Sequence, residues 1–298
     1  MLGGVSRYFL WRSFSKISGK INIIDVGSAG ERPYFWPDNS LANYYEFEPN
    51  EDGGSVGLGS VNLKRKLYVS KNDHMSSVYK PKMIDISKVF HEKHWKERGV
   101  VEELEIKIQR LDEILDPASN VDFIKIDTQG SEYEILKGAK KTIEKCRPII
   151  YCECWLYEVY SEAPLFSKVF DLLKDWGYEI CAIETGAAWD MAINEAGSVG
   201  RKVPIGLDII AAPREVIDNA KDLYRPIEKS VVLEMYGQYQ LALNISRSAS
   251  VKNKEFHPFY KWQKIRINSM MHRKITSFLD LPCRGKMRRY KIVPNLYD

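Results

Sequence analysis

The segment from Val121 to Ala139 constrains the fold more than any other part of the sequence. Residues 121–127 form a short, mostly apolar run that is typical of a buried strand. A three-residue turn, 128–130, follows, and Ser131 then caps a helix whose apolar residues recur at helical spacing. A buried strand that passes through a tight turn into an amphipathic helix predicts a parallel sheet covered by helices.

The same alternation continues on both sides of this segment, so the predicted fold class is α/β. It is a Rossmann-like, doubly wound, mostly parallel sheet of seven strands, followed by a helical C-terminal extension. We expect helices at 81–100 and 165–176, and a glycine-containing loop at 185–206 that could cover a site. The predicted sheet strands cover residues 21–26, 43–48, 63–70, 121–127, 148–155, 178–184 and 207–212, and the alternating run 104–108 predicts a half-exposed strand besides.

Charge divides the chain into three parts. Residues 1–20 mix aromatic residues with four basic ones and contain no acid, and residues 250–298 carry a net charge of +9. Because the whole chain carries only +4, its middle is acidic. We therefore expect a basic aromatic N-terminal segment (1–20), an α/β domain (21–214) and a basic, mainly helical extension (215–298). Basic ends predict an anionic partner, such as a membrane surface, a glycan or nucleic acid, and a solvated tail packed on the acidic body is the alternative.

The cysteines and the hydropathy pattern bear on location. The five cysteines are scattered and odd in number, which favours reduced thiols in a cytoplasm-like compartment. No apolar run reaches the roughly 18 residues that predict a membrane-spanning helix. The histidines and cysteines show no metal-ligand spacing, so no metal is expected. We expect a cytoplasmic protein, and peripheral contact with an anionic membrane surface through the basic ends is an open alternative.

Three features at predicted strand ends indicate a nucleotide-cofactor site. The turn Asp25–Gly30 follows the first strand, and its small residues let the backbone approach a ligand closely. Glu48 ends the second strand, 23 residues after Asp25, where an acid in a doubly wound fold accepts hydrogen bonds from a ribose diol. Asp127 ends its own strand and would lie in the same crevice. Each feature alone is equally well explained by an ordinary turn or a structural acid, and their conjunction favours a site.

Motifs in order along the chain sharpen this interpretation. The longest is Lys125–Glu132, Lys-Ile-Asp-x-x-Gly-x-Glu, followed by Leu136–Ala139, Leu-Lys-Gly-Ala. The others are Asp25–Gly27 (Asp-Val-Gly), Phe47–Asn50 (Phe-Glu-Pro-Asn) and Leu111–Glu113 (Leu-Asp-Glu). In these motifs the chain resembles the FkbM-type, S-adenosylmethionine-dependent methyltransferases, over most of the α/β domain. The resemblance implies a class I methyltransferase fold.

The resemblance also implies S-adenosyl-L-methionine as cofactor and O-methylation of a sugar, a glycan or another small natural product. The turn would hold the methionine part, Glu48 the ribose, and residues after the third strand, with His74 among them, the adenine. Two positions depart from the family pattern. Glu31 stands in a glycine slot, where it would contact the cofactor's amino group or weaken binding, and Gln129 replaces a frequent Glu. The cofactor-binding residues so implied are Asp25, Gly27, Ser28, Ala29, Gly30, Glu48, Pro49, Asn50, Ser76, Ser77 and Asp127.

Methyl transfer to a hydroxyl benefits from a general base near the acceptor oxygen. Asp127 is the first candidate, with Glu132 and Glu153 behind it. Each has a structural alternative: Asp127 as a cofactor ligand, Glu132 as an acid at a helix N-terminus, and Glu153 as a paired acid.

Two other functions stay open. A degenerate cofactor-fold protein would bind an anionic partner with its basic tail, although no recognised motif supports nucleic acid. If the tail serves a partner or an acceptor, deletion after residue 215 leaves cofactor binding intact. A dinucleotide dehydrogenase is disfavoured because the first turn lacks Gly-x-Gly-x-x-Gly.

Overall fold

Two sheets organise the part of the chain that the structure, a computed structural model, describes: a six-stranded central sheet and a separate three-stranded sheet. No helix in this part combines the length and the apolar character that crossing a bilayer requires. The described residues are 10–16, 19–28, 32–49, 56–90, 92–185, 204–218, 220 and 223–276.

The central sheet confirms the α/β class but not every predicted detail. Its strands are β1 Ile21–Val26, β2 Ala42–Phe47, β6 Phe123–Ile126, β7 Ile149–Trp155, β8 Tyr178–Thr185 and β9 Gly206–Pro213. Their order is β2-β1-β6-β7-β9-β8. The first four are parallel, whereas β9 runs antiparallel to both of its neighbours. The sheet is therefore mixed and has six strands among the described residues, so the seven-stranded, mostly parallel sheet is not confirmed.

The missing strand belongs to the second sheet. This sheet contains β3 Gly57–Leu58, β4 Leu63–Ser70 and β5 Val100–Gln109, in the order β3-β5-β4. The sequence places residues 63–70 in the central sheet, and this prediction is wrong because β4 pairs with β5 in antiparallel register. The charges explain the pairing, because Lys64 and Lys66 form ion pairs with Glu105 and Glu103 on an exposed face. Such pairs require a sheet with one face in solvent, whereas both faces of the central sheet are covered.

Helices cover both faces of the central sheet. The predicted helical insertion at 81–100 is confirmed and contains two short helices. The bounds are α1 10–14, α2 Met83–Val89, α3 Glu92–Glu97, α4 Leu111–Ile114, α5 Glu132–Gly138, α6 Lys140–Cys146, α7 Phe166–Asp175, α8 Arg214–Asp218, α9 Pro226–Met235, α10 Tyr239–Lys252 and α11 His257–Thr276.

One face of the sheet packs against α5, α6 and α7. Ile24, Ile126 and Ile150 contribute from the strands, and Ile135 and Leu173 contribute from the helices. These side chains are almost fully buried. α7 is strongly amphipathic, since it buries Val169 and Leu173 and leaves its other side in solvent. This is the layer that the Val121–Ala139 segment predicts, and we call it the motif face.

The opposite face, which we call the terminal face, is covered by helices from both ends of the described chain. Leu10 and Phe14 of α1 are fully buried in the same cluster as Ile23 and Phe123 of the sheet. α9 and α10 complete this layer, and all nine residues from Ile227 to Met235 are buried. The domain boundary at 214/215 stays a prediction, but the hydrophobic cluster contains side chains from both sides of it.

A buried polar network joins α11 to this layer. The Glu234 carboxylate accepts hydrogen bonds from Arg266 Nε at 2.7 Å and from Gln263 Nε2 at 2.9 Å. Gln263 Nε2 also lies 2.8 Å from Ser230 Oγ, and Ser246 donates to Gln263 Oε1. Because these groups satisfy one another, their burial does not leave unpaired charge in the core.

Helix α5 approaches the second sheet closely through backbone atoms. A Cβ on Gly138, at the end of α5, would lie 1.9 Å from the carbonyl oxygen of Gly59, which follows β3. No larger residue fits there without moving one of the two segments. The glycine of the Leu136–Ala139 motif therefore sets the spacing between α5 and the second sheet.

Candidate active site

The carboxyl ends of β1, β2 and β6 meet at Gly27. Its amide donates to Phe47 O at 3.1 Å, and Asp127 N donates to Val26 O at 3.0 Å. Gly27 has φ +78°, and a Cβ there would lie 1.9 Å from Asp127 O. Only glycine accommodates both constraints, which explains the Asp-Val-Gly motif and brings the first turn against Asp127.

Some predicted positions lie outside the described residues. Ser28 is described and buried. Ala29, Gly30, Glu31 and Asn50, with most of the loop 185–206, belong to the part that the structure does not describe.

Lys125 holds the strand ends together from within the sheet. Its Nζ lies 3.1 Å from Asp25 Oδ1, 3.1 Å from Gly27 O and 3.9 Å from Asp127 Oδ2. Asp25 is fully buried, and burial raises the pKa of its carboxyl although Lys125 opposes the shift. Sequence reasoning quotes Lys125 within a motif but gives it no role. The available signal is a lysine in the middle of an otherwise apolar strand.

A cavity of about 350 Å³ opens beside these strand ends. Gly27, Glu48 and Asp127 line it at the central sheet. Its opposite wall is apolar and comes from the second sheet, chiefly from Leu67 and Ile108. A cavity of this size with an apolar wall and a few convergent polar groups is typical of a small-molecule site. Of the predicted site residues, the structure brings these into the cavity wall: Gly27, Glu48, Pro49, Ser76, Ser77, Asp127 and Glu153.

Gln129 connects the two candidate bases. Its Nε2 donates to Asp127 Oδ1 at 3.3 Å and also to Glu153 Oε2, and its Oε1 accepts from Tyr160 OH at 3.0 Å. Its backbone is left-handed, with φ 58°, and its carbonyl accepts from Ser77 Oγ at 2.8 Å. A Glu in this place would bring a third carboxylate instead of a donor. At this departure from the family pattern, Gln129 therefore links Asp127 to Glu153 by hydrogen bonds, a contact that the sequence does not predict.

Glu153 lies in a cluster of carboxyl groups. Burial, with the charges of Asp127 and Asp208, raises the pKa of the Glu153 carboxyl well above its usual range. Asp208 stands opposite Glu153 in the register of β7 and β9, and burial is the main cause that raises its pKa to about 6. Sequence reasoning missed Asp208 because the antiparallel pairing of β9 is not visible in the local pattern. The signal in the sequence is one acid within the apolar strand β9.

Glu132 has a different place from the other two candidates. Its Oε1 accepts from Thr128 N at 3.1 Å and from Gly130 N at 3.0 Å, and the side chain does not line the cavity. Burial raises its pKa to about 7 against the effect of these backbone hydrogen bonds. Ser131 occupies the N-cap position of α5 but makes no side-chain cap bond, so the prediction that it caps the helix is wrong. The longer Glu132 side chain reaches the turn amides instead, which favours a structural role for it.

Ser76 and Ser77, which follow β4, already form hydrogen bonds within the protein. Ser77 Oγ donates to Gln129 O, and Ser76 Oγ accepts from Ser70 N at 3.0 Å. Both line the cavity together with His74. Their contact with an adenine ring stays a prediction. Among the described residues, no group of three or more His, Cys, Asp or Glu side chains is arranged to hold a metal ion.

The chain is similar to known proteins over the region that holds the site. The family model described as the methyltransferase FkbM domain matches residues 30–180, slightly more than half of the chain. The crystal structure of methyltransferase FkbM from Methylobacillus flagellatus KT is 16% identical, with a TM-score of 0.34, and the match covers 64% of this chain and 43% of that one. This chain thus spans less than half of that relative's length, and no curated protein matches it. The family match shows that the chain belongs to the FkbM methyltransferase family.

Proposed function

We propose that this protein is an S-adenosylmethionine-dependent O-methyltransferase that acts on a hydroxyl group of a sugar, a glycan or another small natural product. One observation carries the proposal. Gln129 binds both Asp127 and Glu153 at the edge of a cavity that Gly27 and Glu48 also line. Membership of the FkbM methyltransferase family supports methyl transfer as the reaction.

The residues present fit the proposed cofactor. Gly27 lines the cavity and carries no side chain, so a ligand can lie against the backbone of the turn. Asp25 Oδ2 is buried and has no hydrogen-bond partner among the described residues, but Asp25 does not line the cavity. Glu48 follows β2, lines the cavity and can accept from both ribose hydroxyls. When bound, the cofactor supplies an activated methyl group on a sulfonium ion.

Asp127 is the proposed general base. Its side chain is 36% exposed and lines the cavity, Lys125 Nζ lies 3.9 Å from its Oδ2, and Gln129 Nε2 donates to its Oδ1. Burial, with the charges of Asp127 and Asp208, raises the pKa of the Glu153 carboxyl, which favours its protonated form. Gln129 holds both carboxyl groups in place, so the acceptor oxygen can be oriented within about 3 Å of the methyl carbon, where positioning supplies much of the rate.

The polar part of the cavity lining suits an acceptor rich in hydroxyl groups. Asp73, His74, Glu97 and Arg98 belong to this lining and offer both donors and acceptors. The neighbouring apolar wall suits the less polar face of a sugar ring or an adenine ring. These groups support the substrate class and leave its identity to experiment.

Calorimetric titration with S-adenosylhomocysteine tests the cofactor directly. We expect saturable binding with one molecule per chain. A folded protein that does not bind would overturn the proposal and favour the alternative, a degenerate cofactor-fold protein that binds an anionic partner. A methyl-transfer screen against sugars and lipid-linked glycans would then identify the acceptor.

The roles of the three carboxyl groups can be distinguished with the variants Asp127→Asn, Glu153→Gln and Glu132→Gln. The kcat of each variant is measured over a range of pH. Loss of a general base lowers kcat by roughly 10²–10⁴. We expect this loss in Asp127→Asn, whereas Glu153→Gln should keep activity because the raised pKa of Glu153 favours its protonated form, which cannot act as a base. Loss of activity in Glu153→Gln alone would transfer the role to Glu153.

A further inference from the structure

A surface patch on α11 is not used by the proposed methyl-transfer site. It consists of Lys261, Trp262, Lys264 and Ile265, which occupy neighbouring positions on one side of the helix, and we call it the α11 patch. Trp262 is 57% exposed and Ile265 is 59% exposed. Both lysines are exposed as well. Because Trp262 and Ile265 are three residues apart on the helix, their exposed side chains form one apolar surface between the two cations.

The exposure of the α11 patch does not come from a loosely attached helix. Phe259, Gln263 and Ile267 lie on the opposite side of α11 and are almost fully buried. Arg266 donates to the buried Glu234 carboxylate at 2.7 Å. The buried side fixes the rotation of the helix, so the α11 patch cannot turn inward without breaking this network.

Charge identifies the kind of partner. α11 contains no acidic residue, and Glu255 is the single acid among residues 250–276. The sequence after residue 276 is basic too, with five Lys/Arg residues and two acids. A surface that faces this part of the chain must therefore carry negative charge.

We infer that the α11 patch docks on an anionic lipid surface. Tryptophan is favoured at the membrane–water interface, and isoleucine gains by entering the boundary of the acyl chains. Lys261 and Lys264 would contact the anionic headgroups. Nucleic acid explains the lysines and a stacked Trp262, but it leaves Ile265 exposed. A second copy of the chain in a two-fold dimer would bring these lysines against their own copies. This inference does not depend on cofactor binding.

Flotation of the full chain with lipid vesicles tests the inference. We expect binding to phosphatidylcholine vesicles that contain about one-third phosphatidylserine, little binding to pure phosphatidylcholine, and weakening of the former by salt. Trp262→Ala with Ile265→Ser should lower the partition coefficient by roughly tenfold, because the apolar anchor is lost. Lys261→Gln with Lys264→Gln should lower it about as much and should reduce the salt dependence.

Matched substitutions elsewhere on the surface serve as controls. Ile84→Ser removes an apolar side chain that is 77% exposed on α2, and Lys107→Gln removes an exposed cation on β5. Neither should change vesicle binding. Equal binding to both vesicle types, or equal losses in the control variants, would overturn the inference. Binding to a single-stranded oligonucleotide but not to vesicles would replace it with a nucleic-acid surface, and a dimer that Trp262→Ala disrupts would replace it with self-association.

Discussion

The two faces of the central sheet are covered by helices of different character. On the motif face, α7 is amphipathic, and it buries Val169 and Leu173 while its other side stays in solvent. On the terminal face, every residue of α9 from Ile227 to Met235 is buried, charged residues included. An amphipathic helix shows itself in the periodicity of its sequence, whereas a helix that is buried all round does not. The sequence patterns that identify the site therefore do not predict how the helices of the terminal face pack on the sheet.

The comparison predicts its largest effect for the loss of the terminal face. Deletion after residue 214 removes α8 to α11 and exposes the sheet residues that pack under them, such as Ile23 and Phe123. The five apolar residues of α9 alone contribute about 10 kcal/mol at roughly 2 kcal/mol each, which is comparable to the whole stability of a domain. We therefore expect an insoluble or unfolded product. A soluble truncated protein with native circular dichroism and intact S-adenosylhomocysteine binding would contradict this prediction. It would instead support the independent tail that the charge distribution alone suggests.

Breaking the buried ion pair should have the next largest effect. Arg266→Ala leaves the Glu234 carboxylate buried and unpaired, which costs about 3–5 kcal/mol in the free energy of unfolding. Chemical denaturation measures this loss, and the affinity for S-adenosylhomocysteine should not change. The matched control is Lys66→Ala at the exposed pair with Glu103, where we expect a much smaller loss because solvent screens the pair. Similar losses in both variants would mean that the buried Arg266–Glu234 pair stabilises the fold no more than an exposed ion pair does.

A third test uses the buried lysine of α9. Lys229 is fully buried and donates to Tyr224 O at 2.7 Å, and burial lowers its pKa to about 8. The unfolded chain then binds more protons between pH 8 and about 10.4, so the contribution of Lys229 to stability rises with pH across this window. Below pH 8 the lysine is charged in both states and its contribution is constant.

Lys229→Met should remove this rise. The difference in unfolding free energy between wild type and variant should change by on the order of 3 kcal/mol across the window, because each pKa unit corresponds to about 1.4 kcal/mol. The comparison with wild type cancels the cysteines and tyrosines that titrate in the same range. A difference that stays constant with pH would show that Lys229 has an ordinary pKa.

The smallest effect on stability is predicted at the cavity, for Glu48, a residue that serves the ligand. Glu48→Ala should weaken S-adenosylhomocysteine binding by roughly tenfold to a hundredfold, the value of a hydrogen bond to a charged group. Thermal unfolding of the ligand-free protein should stay within about 0.5 kcal/mol of wild type, as for a surface substitution. Glu48→Gln keeps one acceptor, so its affinity for S-adenosylhomocysteine should lie between those of wild type and Glu48→Ala. Unchanged affinity for S-adenosylhomocysteine in Glu48→Ala would remove Glu48 from the site.

The motif-bearing strands were predictable because each is a local pattern that ends at a turn. The segment that contains Asp127 gives its strand, its turn and its helix from composition and spacing alone. Partner choice was not predictable in this way. Residues 63–70 form a strand as expected, but its antiparallel pairing with β5 depends on charges some 40 residues away.

Contacts within the site show the same limit. The sequence predicts Asp127 and Glu153 as candidate bases. It shows Gln129 only as a departure from the family pattern and does not predict that the Gln129 side-chain amide bonds both of them. Glu132 satisfies the sequence criterion for a base, yet its carboxylate serves the backbone of the turn. Asp208 reaches the cluster through the reversed strand β9. Chemistry that depends on which strands are neighbours cannot be obtained from residues that are neighbours in sequence.

The contact of Gly138 with Gly59 has a consequence for how this family can diversify. Gly138 does not line the cavity, yet it determines how closely one wall approaches the other. A relative with a larger residue at this position would have to move the second sheet outward and would gain room for a bulkier acceptor without any change in the lining residues. Selection for new substrates can therefore act on a position that no ligand touches, and a search for specificity determinants limited to the cavity wall would overlook it.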